Sequence, residues 1–268
     1  MFIGLDLGTS HLKGIVIDDA QNVCAEASVS LSLMRPKNGW SEQNPQDWLD
    51  ATENVMASLA NKVNLKKVNA IGLSGQMHGA TLLDKNDNVL RPCILWNDTR
   101  SAEEASYLDS KTIFRNLTGN IVFPGFTAPK LAWVRKHDPN IFAKISKVLL
   151  PKDYLRLWLC GEYVAEMSDA AGTSWLDVKR RDWSDALLAE TDLDRSQMPT
   201  LIEGCEISGV LKKTHASKWG LPHGVIIAGG GGDNAASAIG VGVVKAGDAF
   251  VSLGTCLLYT SPSPRDRG

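Results

Sequence analysis

The sequence predicts an α/β protein assembled from two related halves. Three observations carry that expectation. An apolar run, Val225-Ile226-Ile227, leads through Gly229-Gly230-Gly231-Gly232 into Asp233 and the helix-permitting Asn234-Ala235-Ala236-Ser237-Ala238, which reads as a buried strand, a flexible turn and a helix. Residues 1–33 alternate as three strands joined by two turns, the first of them Asp6-Leu7-Gly8-Thr9-Ser10. Far downstream, Leu253-Gly254-Thr255-Cys256 repeats the pattern Leu7-Gly8-Thr9-Ser10 after another apolar strand. A strand–Gly–Thr turn present twice points to an internal duplication.

Composition sets the class. The chain has 268 residues, 44% hydrophobic and 22% charged, with a net charge of -2. That is ample material for a core, and it provides no basic surface of the kind nucleic acid requires. No stretch has the length of a membrane-spanning helix. Asp6 interrupts the apolar N-terminus, which lacks a basic region and so is not a signal peptide. Cys24, Cys93, Cys160, Cys205 and Cys256 are widely spaced, as in a protein whose thiols stay reduced, and a cytoplasmic location is expected.

Taken in order, residues 1–7, 12–17 and 23–33 read as a meander. The small residues of its first turn leave backbone N–H groups and the Thr9 and Ser10 hydroxyls free to face phosphate oxygens. Asp6 can hold Mg²⁺ through water, and Lys13 can reach a phosphate. An ordinary hairpin with a solvated Asp is the other reading. Paired with the second turn at Gly254-Thr255, the first suggests two halves facing one nucleotide. Asn44-Pro45-Gln46-Asp47 opens a helix with a capping side chain and a first-turn proline. Trp48, Ala51, Val55, Met56, Leu59 and Val63 mark its core face. Residues 67–74 return as a strand.

Ser74-Gly75-Gln76-Met77-His78-Gly79-Ala80 then sets polar side chains beside glycines at a strand end, where they can hydrogen-bond a polyol. Residues 81–84 and 89–95 form a hairpin ending at Trp96-Asn97-Asp98-Thr99-Arg100. A Trp beside amide and carboxylate groups suits the edge of a sugar ring, and helix capping is the alternative for Asn97 and Asp98. Asp233, on a glycine-rich strand-to-helix turn, is placed to take a proton from a substrate hydroxyl; its alternative is an N-cap.

Gly125-Phe126-Thr127-Ala128-Pro129-Lys130-Leu131-Ala132-Trp133-Val134-Arg135-Lys136-His137 resembles the N-terminal signature of the FGGY carbohydrate kinases. By itself the segment reads only as an amphipathic helix. Gly75-Gln76-Met77-His78-Gly79-Ala80, Leu95-Trp96-Asn97-Asp98, Leu149-Leu150-Pro151-Lys152-Asp153-Tyr154-Leu155 and Met167-Ser168-Asp169-Ala170-Ala171-Gly172-Thr173 extend the resemblance, within that family, to its bacterial ketopentose kinases.

The resemblance implies a duplicated actin-like, ribonuclease-H-like fold with ATP between two domains and sugar in the cleft. It implies ATP-dependent phosphorylation of D-xylulose at its 5-hydroxyl, with Asp233 as general base. Met77 and His78 would contact the sugar, Asp6 would serve catalysis by organising Mg²⁺, and Gly8, Thr9, Ser10, Lys13, Gly254 and Thr255 would handle the nucleotide phosphates. A kinase of a ribulose, gluconate or glycerol type is the nearest alternative. A non-catalytic actin-like sugar or nucleotide sensor is the next. The expected organisation is a first domain over residues 1–222, the beginning of a second over 223–255, and a tail at 256–268 that does not resemble the family and is expected to be disordered. With the family's adenine-holding part expected to be missing, the chain is expected to be inactive alone. Small-molecule partners are expected and nucleic acid or membrane partners are not; a homodimer is left open.

Overall fold

A computed structural model of the protein describes residues 1–245 and 247–251. The expected phosphate turn at Gly254-Thr255 and the tail at 256–268 lie outside the described residues. One seven-stranded sheet organises the chain. Its strands are β1 (Phe2–Leu7), β2 (His11–Ile17), β3 (Val23–Ser30), β4 (Ala70–Gly75), β5 (Ile207–Val210), β6 (Ile226–Ala228) and β7 (Gly231–Gly232). They lie in the order β5-β6-β4-β1-β2-β3, with β7 also on β4. β1 pairs antiparallel with β2 and parallel with β4. β6 and β7 both run parallel to β4.

The meander forms because the side chains of β1 and β2 alternate. Ile3, Leu5, Leu7, Leu12 and Val16 are buried on one face, whereas Lys13 and Ile15 stay exposed. α1 (Pro45–Lys62) covers that apolar face. The Asn44 side chain accepts the Gln46 amide, and Pro45 stands in the first turn, as the capping signal predicts. Trp48, Val55, Met56 and Leu59 are buried beneath it. A second apolar cluster gathers around Trp133, Trp175 and Trp183.

The signature segment becomes α2 (Thr127–His137), and here the expectation of an amphipathic helix fails. Every residue from Thr127 to Val134 is buried, Lys130 included. Thr127 and Lys130 are satisfied inside the protein, and only the last turn, Arg135 to His137, reaches solvent. The sheet also runs past residue 222 without a break. Leu221 and Val225 are buried, and β6 is hydrogen-bonded between β4 and β5.

α3 (Pro151–Cys160) and α4 (Met167–Ala171) bring a group of charges together under the glycine-rich stretch. The Lys152 ammonium lies 2.7 Å from Asp153, 3.3 Å from Asp169 and 3.6 Å from Glu166. Arg156 donates to the carbonyls of Ala228 at 2.8 Å and Gly229 at 2.6 Å, and to the Ser208 hydroxyl at 2.6 Å. Burial, with Asp153 and Glu166 alongside, pushes the Asp169 carboxyl well above its ordinary range despite Lys152.

Among the described residues, the cysteines are all free, and no helix is long and apolar enough to cross a membrane. Removing one member of a buried charge group strands the others, at a cost of about 3–5 kcal/mol. Arg156→Met is therefore expected to lower the unfolding free energy of the chain by about that amount in urea titrations. Arg135→Ala, which loses an exposed ion pair with Asp192, is expected to stay within about 1 kcal/mol.

Candidate functional site

Three parallel strands end at one level. Across the β1–β4 ladder Asp6 stands opposite Ser74, and across β4–β7 Ser74 stands opposite Gly231. One residue further on, Leu7, Gly75 and Gly232 share a row. The chain then leaves this edge in three places: Gly8-Thr9-Ser10 after β1, Gln76-Met77-His78 after β4 and Asp233 after β7. Ligands in α/β sheets bind outside the carboxyl ends of parallel strands, so the topology collects the first turn, the polar strand end and the Asp233 turn in one cleft. With strands about 4.8 Å apart, Asp6 and Asp233 stand on strands about 10 Å apart.

Asp233 is not a cap. It is the first residue of α5 (Asp233–Gly240), whose N-cap is Gly232, and its Oδ1 accepts the adjacent Asn234 amide, at 2.7 Å. Burial raises its pKa above the ordinary carboxylate value; the Asn234 hydrogen bond opposes this, and the Asp6 charge adds to it. The turn is held from below. The Gly232 amide donates to the Ser168 hydroxyl at 3.1 Å, and Ser168 donates in turn to Glu166. Gly230 needs to be glycine: its φ is +76°, and a Cβ there would lie 2.0 Å from the Leu73 carbonyl oxygen.

Asp6 is half-buried, and its Oδ1 has no hydrogen-bond partner. An unsatisfied carboxylate oxygen beside a second carboxylate is a place for a cation. No group of three or more His, Cys, Asp or Glu could hold a metal among the described residues. The free Asp6 oxygen fits an ion such as Mg²⁺, which takes one or two carboxylates and completes its shell with water and phosphate.

Thr9 departs from expectation. Its hydroxyl donates to Gln76 Oε1 at 3.0 Å and accepts from the Trp96 indole at 2.9 Å. Gln43 donates to the Thr9 carbonyl at 2.7 Å and accepts from Gln76 and Trp48. The hydroxyl proton thus ties the turn to the Trp96 loop, while Gly8, Ser10 and an exposed Lys13 stay at the surface of the cleft. Asp98 is likewise committed, accepting two hydrogen bonds from the Arg100 guanidinium at 2.9 and 2.7 Å and one from the Ser41 amide at 2.5 Å.

The opposite wall comprises Met77, His78 and Phe126. Met77 lies against Gly232: a Cβ on that glycine would come within 2.9 Å of its Cγ and Sδ. His78 has a positive φ of 66°. Its ring stacks on Phe126 with centroids 4.6 Å apart, and Nδ1 lies 2.7 Å from the Gly172 carbonyl oxygen. Burial, assisted by the Lys130 charge, lowers its pKa to about 4 against the Gly172 hydrogen bond. A carbonyl only accepts, so the neutral ring carries its proton on Nδ1 and keeps the Nε2 lone pair as an acceptor. Sequence reasoning named Met77, His78, Asp6 and Asp233, and the structure brings them to one edge of the sheet. It did not single out Gln43 or Arg156, which lie in other segments, and it quoted Ser168 and Lys130 within motifs without a role.

Comparison with known proteins gives the same architecture. Residues 1–240 match the FGGY family of carbohydrate kinases, N-terminal domain. The "Xylulose kinase" of Klebsiella pneumoniae is 51% identical over 264 residues, covering 98% of this chain and 54% of that protein. A crystal structure of a "xyloylose kinase" from Brucella ovis is 58% identical with a TM-score of 0.92, over 94% of this chain and 53% of that one. A gluconate kinase structure from Lactobacillus acidophilus is 27% identical with a TM-score of 0.86, over 90% of this chain and 49% of that one. The chain thus spans about half the length of the curated relatives it matches, and it has the actin-like, ribonuclease-H-like α/β fold expected of it.

The His78 assignment has a pH signature. Its folded pKa, about 4, lies below the ordinary 6.5, so between those values the unfolded chain binds more protons. Stability contributed by neutral His78 is complete above pH 6.5 and is lost as pH falls toward 4. Nitrogen-15 NMR of the chain is expected to show one ring that stays neutral, with the proton on Nδ1, at pH 5.5. A His78 ring titrating near 6.5 would contradict this.

Proposed function

The chain belongs to the FGGY family of carbohydrate kinases, and from that premise we propose that it carries the sugar site and the base of an ATP-dependent kinase that converts D-xylulose to D-xylulose 5-phosphate. The observation that carries the reading is the placement of Asp6 and Asp233 at the ends of parallel strands flanking β4, beside a wall made by Met77 and His78.

In this reading the D-xylulose 5-hydroxyl approaches Asp233. The carboxylate accepts its proton while the oxygen forms a bond to the γ-phosphorus of ATP, and the bond to the β–γ bridging oxygen breaks to release ADP. A base with a raised pKa holds that proton better than an ordinary surface carboxylate. Met77 and Gly232 shape an apolar side to the cleft, and the His78 Nε2 lone pair accepts from a sugar hydroxyl. The Gly8 amide closes the hairpin on the His11 carbonyl at 3.0 Å, so Gly8 shapes the turn while the Thr9 and Ser10 amides, the Ser10 hydroxyl and the Lys13 ammonium receive phosphate oxygens. The second phosphate turn, Gly254-Thr255, belongs to the same reading. Asp6 would hold Mg²⁺, which when bound neutralises charge on the transferring phosphoryl group. The cytoplasm is the compartment where such a reaction finds its ATP. We place the start of the second half after α5, because the sheet passes residue 222 and the N-terminal-domain match extends to residue 240.

A chimera tests the base. Residues 1–240 replace the matching segment of the Klebsiella pneumoniae relative, and ADP release is followed with D-xylulose. Asp233→Asn is expected to lower kcat by about 10²–10⁴-fold with sugar binding kept. Turnover within threefold of the parent would overturn the assignment and favour a sensor. With ribulose, gluconate and glycerol as competing acceptors, D-xylulose is expected to give the highest kcat/KM. The 268-residue chain by itself is expected to bind D-xylulose in calorimetry without releasing ADP; measurable turnover would refute that.

A further inference from the structure

Lys130 has no part in the chemistry proposed above, yet it is a fully buried cation. Its ammonium donates to two backbone carbonyls, His78 at 2.7 Å and Gly125 at 2.6 Å. The Thr127 hydroxyl, one turn away on α2, adds a second donor to the His78 carbonyl at 3.2 Å. The two carbonyls sit on the two sides of one contact. His78 is one ring of the stacked pair, and Gly125 directly precedes Phe126, the other. Phe123 closes edge-on against Phe126 at 5.5 Å.

The two backbones are constrained in different ways. His78 has φ +66°, a conformation that non-glycine residues adopt only when their surroundings require it. Gly125 is pressed so close to the Trp96 loop that a Cβ would fall 2.2 Å from the Trp96 carbonyl oxygen. Lys130 thereby connects two loops through one atom. Burial drives its pKa down to about 7, with Cys93 and Asp98 opposing. A methionine would fill the same space without that desolvation, so packing alone gives no reason for an ammonium here. Two carbonyls that must be held apart at a set distance do.

We propose that Lys130, seconded by Thr127, is a positioning residue for the sugar site: it fixes the His78–Phe126 wall by clamping the His78 and Gly125 carbonyls. The proposal rests on the sugar-kinase reading for what the wall contacts, but not for the clamp itself.

The test uses the full chain and two readouts. Lys130→Met is expected to abolish the fixed Nδ1–H tautomer of His78 in nitrogen-15 NMR and to weaken D-xylulose binding about tenfold or more, since two charge-assisted hydrogen bonds are lost. Thr127→Val, which removes one neutral hydrogen bond, is expected to act in the same direction by about threefold. In the chimera, Lys130→Met is expected to raise the KM for sugar and leave the KM for ATP unchanged, a split that general loosening would not produce. His78 signals and sugar affinity within twofold of the parent would overturn the proposal, as would equal rises in both KM values. Should Lys130→Met fail to fold in circular dichroism, Thr127→Val decides: an unchanged ring and unchanged affinity overturn the clamp. Should the parent chain itself not bind D-xylulose, the kinase reading falls while the His78 signals still judge the clamp.

Discussion

The shared hydrogen-bond ladder of three parallel strands governs the rest of this structure. Because β1, β4 and β7 stop in register, three unrelated stretches of sequence are delivered to one edge. A slip of one residue in either ladder would turn Asp6 or the Asp233 turn to the other face of the sheet. The apolar side chains beneath β1 and β2 and the α1 face that covers them set that register. The core is thus the reason the two carboxylates stand at one edge of the sheet, and the polar residues there need only stand at strand ends.

Two buried polar systems then hold the loops that leave this edge. One is the charge group of Lys152, Asp153, Arg156, Glu166 and Asp169, which reaches the glycine-rich turn through Arg156 on the Ala228 and Gly229 carbonyls and through Ser168 on the Gly232 amide. The other joins Gln43, Gln76, Thr9 and Trp96. Such systems are costly unless fully paired. Here they occupy the position where a loop, having no ladder of its own, would otherwise be free to move. Side-chain donors on backbone carbonyls replace the missing sheet partners.

What was legible in the sequence was what local chemistry encodes. The meander, the Asn44-Pro45 helix start and the strand before Asp233 each carry their own signal within a few residues, and each stands where that signal puts it. Asp233 was legible because four glycines announce a backbone that must bend. The burial of α2 was not. Lys130 and Thr127 look like a wet helix face until the His78 carbonyl, some fifty residues upstream, is seen to receive them. The Thr9 hydroxyl misled for the same reason, since its partners Gln76 and Trp96 are close only after folding. Periodicity reads which side of an element is apolar; it has no access to which polar atoms will find one another.

In the proposed reading Asp6 and Asp233 face a single reacting centre, and the carboxyl of Asp233 reports on it. Its titration can be followed by carbon-13 NMR in the chain and in Asp6→Asn. A lower Asp233 pKa is expected in the variant, still above the ordinary carboxylate value because burial remains. An Asp233 titration that does not change when the Asp6 charge is removed would contradict it.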